Sequence, residues 1–109
     1  MSVEKGYTFV SIGQADELSS GERWLVDIDA LSIAVFRVGD QYYAIGDLCS
    51  HDQGAIGDGE LDGYEIVCPR HGARFDIRNG KVLRLPALAD IPVYPVKIEA
   101  GELLVGIPA

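Results

Sequence analysis

Cysteine and histidine are scarce in this 109-residue chain, with two of each, and there is one methionine and one tryptophan. Two cysteines admit at most one disulfide, so a disulfide-stapled scaffold is excluded. Basic residues are few as well: nine Lys and Arg face seventeen Asp and Glu, for a net charge of −8. A surface of that sign repels phosphate backbones and anionic headgroups, which argues against nucleic acid or a membrane as partner. No segment approaches the ~18 apolar residues that mark a membrane span. The opening Met1-Ser2-Val3-Glu4-Lys5-Gly6 has no apolar core of the signal type. The expectation is a soluble, cytoplasmic protein that acts as a monomer. The chain also lacks a nucleotide-binding glycine loop, a flavin site, a mononuclear-iron motif, internal repeats and low-complexity tails.

What is present is concentrated. Both cysteines and both histidines fall in two pairs, Cys49-Ser50-His51 and Cys68-Pro69-Arg70-His71, with sixteen residues between them. Glycine follows each pair closely, at Gly54 and Gly72, in segments that read as loops between strands. Four soft or borderline ligands on two short loops point to a metal site. Three readings of the four residues compete. They are two buried structural cysteines beside unrelated histidines, a Cys2His2 zinc site, or a 2Fe–2S cluster of mixed ligation. A tetrahedral zinc is usually chelated by pairs spaced two to four residues apart, which suits Cys68 and His71 but not Cys49 and His51. Side chains at i and i+2 of an extended loop point the same way, and so reach two adjacent irons more readily than two corners of one ion.

The rest of the chain reads as strands. Tyr7–Ile12 and Arg23–Ile28 carry alternating or β-branched residues, and Ile33–Val38 faces Tyr42–Ile45 across a Gly39-Asp40-Gln41 hairpin loop. Tyr94–Ile98 and Leu103–Ile107 form a closing hairpin, with Pro92 and Pro95 confining the first strand to an edge, a start or a bulge. Gln14–Leu18 is the one short helix candidate. From residue 46 to about 87 the composition shifts to Gly, Asp and Arg, which reads as an insertion carrying the ligand loops. Within it Glu65–Val67 leads into the second loop, and Asn79-Gly80 signals a two-residue turn between Ala73–Ile77 and Val82–Leu85. Six acids, Asp47, Asp52, Asp58, Glu60, Asp62 and Glu65, precede the second loop. Arg70, Arg74, Arg78, Lys81 and Arg84 then follow with Asp76 as the only acid among them. Such a division makes either a salt-bridged face or a bipolar docking surface. The fold class expected is all-β in one domain spanning 1–109.

Cys49-x-His51, sixteen residues, then Cys68-Pro69-x-His71-Gly72 resembles the Rieske ferredoxins. The likeness continues in Arg74-Phe75-Asp76, Asn79-Gly80-Lys81 and Leu85-Pro86-Ala87. It implies the Rieske fold, an antiparallel β sandwich or barrel-like base with an inserted cluster-binding subdomain. It implies one 2Fe–2S cluster with Cys49 and Cys68 on one iron and His51 and His71 on the other. The histidines would stand at an exposed tip, and Pro86 would cap the cluster from a third loop. High-potential members of the wider family join an extra cysteine in each loop by a disulfide, and the matching positions here are Gly54 and Arg70. They also place hydroxyl donors where this chain has Ala73 and Phe75. The resemblance therefore implies an unclamped, low-potential centre with no catalytic residue. It would carry single electrons from an NADH-dependent flavoprotein ferredoxin reductase to a terminal oxygenase of the aromatic-ring-hydroxylating type. Two other roles stay open: the small Rieske-like subunit of an assimilatory nitrite reductase, and a zinc-stabilised binding module.

Overall fold

A computed structural model describes residues 2–109, with side chains from Lys5 onward. Twelve strands form three four-stranded antiparallel sheets, and no α-helix occurs among the described residues. The first sheet takes strands from both ends of the chain: β1 (Ser2–Glu4), β2 (Tyr7–Gln14), β12 (Glu102–Pro108) and β11 (Val96–Glu99), in that order. The second is ordered β10 (Val93–Tyr94), β5 (Gln41–Gly46), β4 (Leu31–Val38) and β3 (Arg23–Ile28). The third lies in sequence between β5 and β10. It consists of β6 (Leu61–Asp62), β7 (Glu65–Val67), β8 (Arg74–Asp76) and β9 (Val82–Arg84).

Strand β4 explains why the molecule has three layers. Its run Ile33-Ala34-Val35-Phe36 is wholly buried, so both faces of the pleat are covered. Ile33 and Val35 point into a core shared with Ala15, Leu18, Ala44, Leu103, Val105 and Ile107, between the first and second sheets. Ala34 and Phe36, with Ile45 of β5, point the other way. There they meet Ile56, Ile66, Phe75, Ile77, Ala87, Ile91, Cys49 and Cys68. The second core fixes the third sheet, and with it both cysteines, to the base. Burying Phe36 and Phe75 contributes about 1.5–3 kcal/mol for each ring.

Three local expectations need correction. The helix expected over Gln14–Leu18 is a single 3-10 turn, Ala15–Glu17, closed by Leu18 N–H to Ala15 O at 3.3 Å. Five residues are too few to offset the cost of helix nucleation. The strand expected over Tyr94–Ile98 is cut at Pro95, so that β10 pairs with β5 while β11 pairs with β12. Proline has no N–H to continue a ladder, and the Pro95 carbonyl instead accepts from Gly106 N–H at 2.8 Å. The hairpin at Asn79-Gly80 has a four-residue loop, because Asp76 N–H donates to Lys81 O at 2.9 Å. Asn79 still shapes the loop, its Oδ1 accepting from Lys81 N–H at 3.0 Å.

Candidate metal centre

The two ligand loops leave parallel stations of the fold, one after β5 and one between β7 and β8, and they close in the same way. Cys49 N–H donates to Gly54 O at 2.7 Å and Cys49 O accepts from Gln53 N–H at 2.7 Å. In the second loop Cys68 N–H donates to Ala73 O at 2.7 Å and Cys68 O accepts from Gly72 N–H at 3.0 Å. Each loop therefore spends one residue in the left-handed region, Gln53 at φ 63° and Gly72 at φ 75°. The second loop uses glycine there; the first tolerates a glutamine.

All four residues singled out in the sequence converge. Cys49 and Cys68 are free thiols, 0% and 1% exposed. His51 and His71 stand outside them, with ring centroids 5.0 Å apart and planes at 80°. The His71 side chain is 49% exposed. The donors fall into two groups. The thiols with an Asp52 oxygen lie within 4.8 Å of one another, and so do the imidazoles with an Asp52 oxygen. One tetrahedral zinc needs four donors around a single point. A thiol pair inside and an imidazole pair outside instead suit two adjacent ions. Burial raises the Cys49 thiol pKa above its usual value, so filling the site is coupled to proton release.

The carboxylate between the two groups is not a free donor. Arg70 Nε donates to Asp52 Oδ2 at 2.7 Å and Nη2 to Oδ1 at 2.9 Å, while Nη1 donates to Ala55 O at 2.7 Å. Gly54 N–H adds a bond to Asp52 Oδ1 at 2.9 Å. The Arg70 hydrogen bonds hold the Asp52 carboxyl well below the usual carboxylate range, and those to Asp52 push Arg70 up in turn. No disulfide joins the loops, and the Arg70–Asp52 ion pair bridges them instead. Gly54 serves this bridge, since a Cβ there would lie 2.6 Å from Arg70 Nη2. Gly72 is required by its φ; a Cβ on it would meet no protein atom within 4 Å.

Sequence reasoning also passed over the residues that hold the loops from outside. Arg23 on β3 donates to Gly57 O at 2.6 Å and also to Gly59 O, its guanidinium 5.1 Å above the Phe36 ring. Asp47 Oδ1 accepts from Ile56 N–H at 2.9 Å and Gly57 N–H at 2.6 Å. Ser50 Oγ donates to Ala89 O at 2.5 Å, tying the first loop to the Leu85–Ala89 segment that contains Pro86. The Asp47 bonds span nine and ten residues and those of Arg23 and Ser50 span 34 to 39, and nothing local in the sequence signals them. The divided charges of the insertion pair with each other: Arg74 with Asp62 at 3.0 Å and Glu65 at 3.5 Å, Arg78 with Asp76 at 2.9 Å.

A family model described as the Rieske [2Fe-2S] domain matches residues 8–95. The chain belongs to that family. Rieske centres seat two histidines on one iron and two cysteines on the other, and this division between the irons is also the division of donors found here. The 3-phenylpropionate/cinnamic acid dioxygenase ferredoxin subunit of Escherichia coli (strain K12) is 38% identical over 93 residues, 84% of this chain and 87% of that protein. Among solved structures, the ferredoxin of carbazole 1,9a-dioxygenase from Nocardioides aromaticivorans IC177 is 36% identical. It superposes with a TM-score of 0.85 over 90% of this chain and 96% of that one. A complex of reduced oxygenase and oxidised ferredoxin in carbazole 1,9a-dioxygenase includes a chain 34% identical, with a TM-score of 0.84 over 89% and 91%. A protein from Mycobacterium tuberculosis assigned as an NADH-dependent nitrite reductase small subunit has a TM-score of 0.82 over 94% and 97%. At 22% identity it speaks for the shared fold alone. This Rieske protein is all-β and carries one 2Fe–2S cluster.

Proposed function

We propose that Cys49 and Cys68 hold one iron of the cluster and His51 and His71 the other, and that the chain is the ferredoxin of an oxygenase system. The segment from 46 to about 87 would act as the cluster-binding unit of a single domain, 1–109. The observation that carries this reading is the segregation of the donors, two thiols buried and two imidazoles exposed within 4.8 Å sets. The bound cluster supplies one-electron transfer. With both thiols ionised and both imidazoles neutral, the oxidised centre is neutral overall and gains one negative charge on reduction. Buried cysteines shield the site from solvent. The exposed edge of His51 and His71 is the shortest protein path from the site to a docked partner, so electrons enter and leave there.

Ala73 and Phe75 are wholly buried beside the cysteines and offer no hydroxyl, which leaves hydrogen bonding towards the cluster to backbone N–H groups. The expected midpoint therefore lies low in the Rieske range of about −150 to +300 mV, and below about +100 mV. The partners that fit are a flavoprotein ferredoxin reductase on one side and a terminal oxygenase of the aromatic-ring-hydroxylating type on the other. The chain carries electrons between them without chemistry on the substrate, as a cytoplasmic monomer. No helix among the described residues is long and apolar enough to cross a membrane. Reconstitution tests the assignment. With NADH, a Rieske-oxygenase reductase and its oxygenase, the protein should support product formation in proportion to its concentration. Failure with several oxygenases, combined with rapid oxidation by a sirohaem nitrite reductase, would overturn it.

A further inference from the structure

Apart from the contact between the buried Cys49 and Cys68 thiols, the polar side-chain bonds between the two ligand loops, among the described residues, involve Arg70 or Asp52. The backbone hydrogen bonds of Cys49 and Cys68 stay within their own loops, and Ser50 bonds outward to Ala89. The Arg70 backbone belongs to the second loop, yet its Nε, Nη1 and Nη2 all donate to the first loop and its exit, at Asp52 and Ala55. The guanidinium lies against Gly54, where a Cβ would come within 2.7 Å of Cζ. Asp52 is fixed from its own side by Gly54 N–H, and it stands within 4.8 Å of both thiols and of both imidazole donors. Its Oδ2 is 3.7 Å from His71 Nε2. A bidentate Arg–carboxylate fork fixes orientation as well as distance, so this pair holds the exposed side of the two loops in register while Cys49 and Cys68 pack together in the core beneath.

We propose that the Arg70–Asp52 pair is a charge-balanced clamp. It holds the loops at the spacing the cluster needs, and its two charges set the cluster potential in opposite directions. This rests on the assignment of Cys49, His51, Cys68 and His71 as ligands. An electron added between the loops is stabilised by the Arg70 cation and opposed by the Asp52 anion. Paired, they nearly cancel; with one removed, the other acts alone. Arg70 and Asp52 are positioning residues, since neither is a ligand.

The test is a potentiometric titration of the purified cluster-bearing protein and of Arg70→Gln, Asp52→Asn and the double variant. The rate at which visible absorbance bleaches in ~0.1 M KCl, where the screening length is about 10 Å, is measured alongside. Arg70→Gln should shift the midpoint down and Asp52→Asn should shift it up, with the double variant between them. Each single variant should bleach about tenfold faster than the parent, the loss expected for charge-assisted bonds. A merely structural pair predicts faster bleaching with no opposed shifts, so shifts of the same sign, or none, overturn the proposal. Where a single variant retains too little cluster to titrate, Arg70→Lys decides. It keeps the charge without the fork, and should hold the parent midpoint while bleaching faster. An Arg70→Lys protein as durable as the parent contradicts the clamp. A colourless, zinc-bearing parent protein would overturn the ligand assignment and the clamp together.

Discussion

Gly59 and Gly72 show how differently one residue type acts at two places. At Gly72 a Cβ would meet no protein atom within 4 Å, but φ is 75°. Gly72→Ala should therefore cost only the left-handed penalty of about 1–2 kcal/mol. At Gly59 a Cβ would lie 2.0 Å from the Val67 carbonyl oxygen, so Gly59→Ala must displace backbone and should cost more than Gly72→Ala. Urea unfolding of the two variants checks the order, and an equal cost would contradict it. Asp76 is the buried acid of the third sheet, 8% exposed, and it accepts from Arg78 Nε, Nη2 and N–H at 2.9–3.0 Å. Arg78 holds its carboxyl below the usual range. A lowered folded-state pKa contributes stability that is present at neutral pH and lost as pH falls through that value. Asp76→Asn should thus cost about 1.5–3 kcal/mol at neutral pH. The deficit against the parent should shrink below the ordinary Asp pKa of about 3.9, and a deficit constant down to pH ~3 would refute this. At this scale the two Cys-His pairs were legible, because ligand chemistry is written in close spacing. Arg70 and Asp52 were not read as partners, since eighteen residues separate them and only the folded loops bring them together.

The elements were legible where periodicity alone decides them. Arg23–Ile28 is β3 to the residue, and the Ile33–Val38 and Tyr42–Ile45 hairpin differs from β4 and β5 by one or two residues at its ends. Alternation on a pleated, half-buried strand is a strong signal. It fails where a chain changes sheets, as at Pro95, and where a strand is only two residues long, as at β6. The hold of the base on the third sheet was not legible either. Arg23 reaches from β3 to the carbonyls of Gly57 and Gly59, and Val67 N–H donates to Glu60 O at 3.0 Å just beyond. Arg23→Met keeps an unbranched apolar side chain and removes the guanidinium with its donors. It should cost about 1.5–3 kcal/mol and should speed amide exchange at Gly59 and Val67 while leaving β4 protected. Unchanged exchange in that segment would show that Arg23 does not hold it.

The whole molecule has charge −8, and its ion pairs in the third sheet neutralise acids near the ligand loops locally. The remaining acids give the surface the sign that attracts a basic partner and speeds encounter. Reduction by the proposed flavoprotein reductase should therefore slow as salt rises from ~0.1 M to ~1 M, over which the screening length falls from about 10 to about 3 Å. A salt-independent rate would mean that docking does not use this charge. We propose that two buried cysteines and two exposed histidines hold one Rieske cluster. Electron paramagnetic resonance of the dithionite-reduced protein tests it most directly. A Rieske-type spectrum accounting for one unpaired electron per chain is expected. A spectrum of the all-cysteine ferredoxin type, or a silent protein containing zinc, would contradict it.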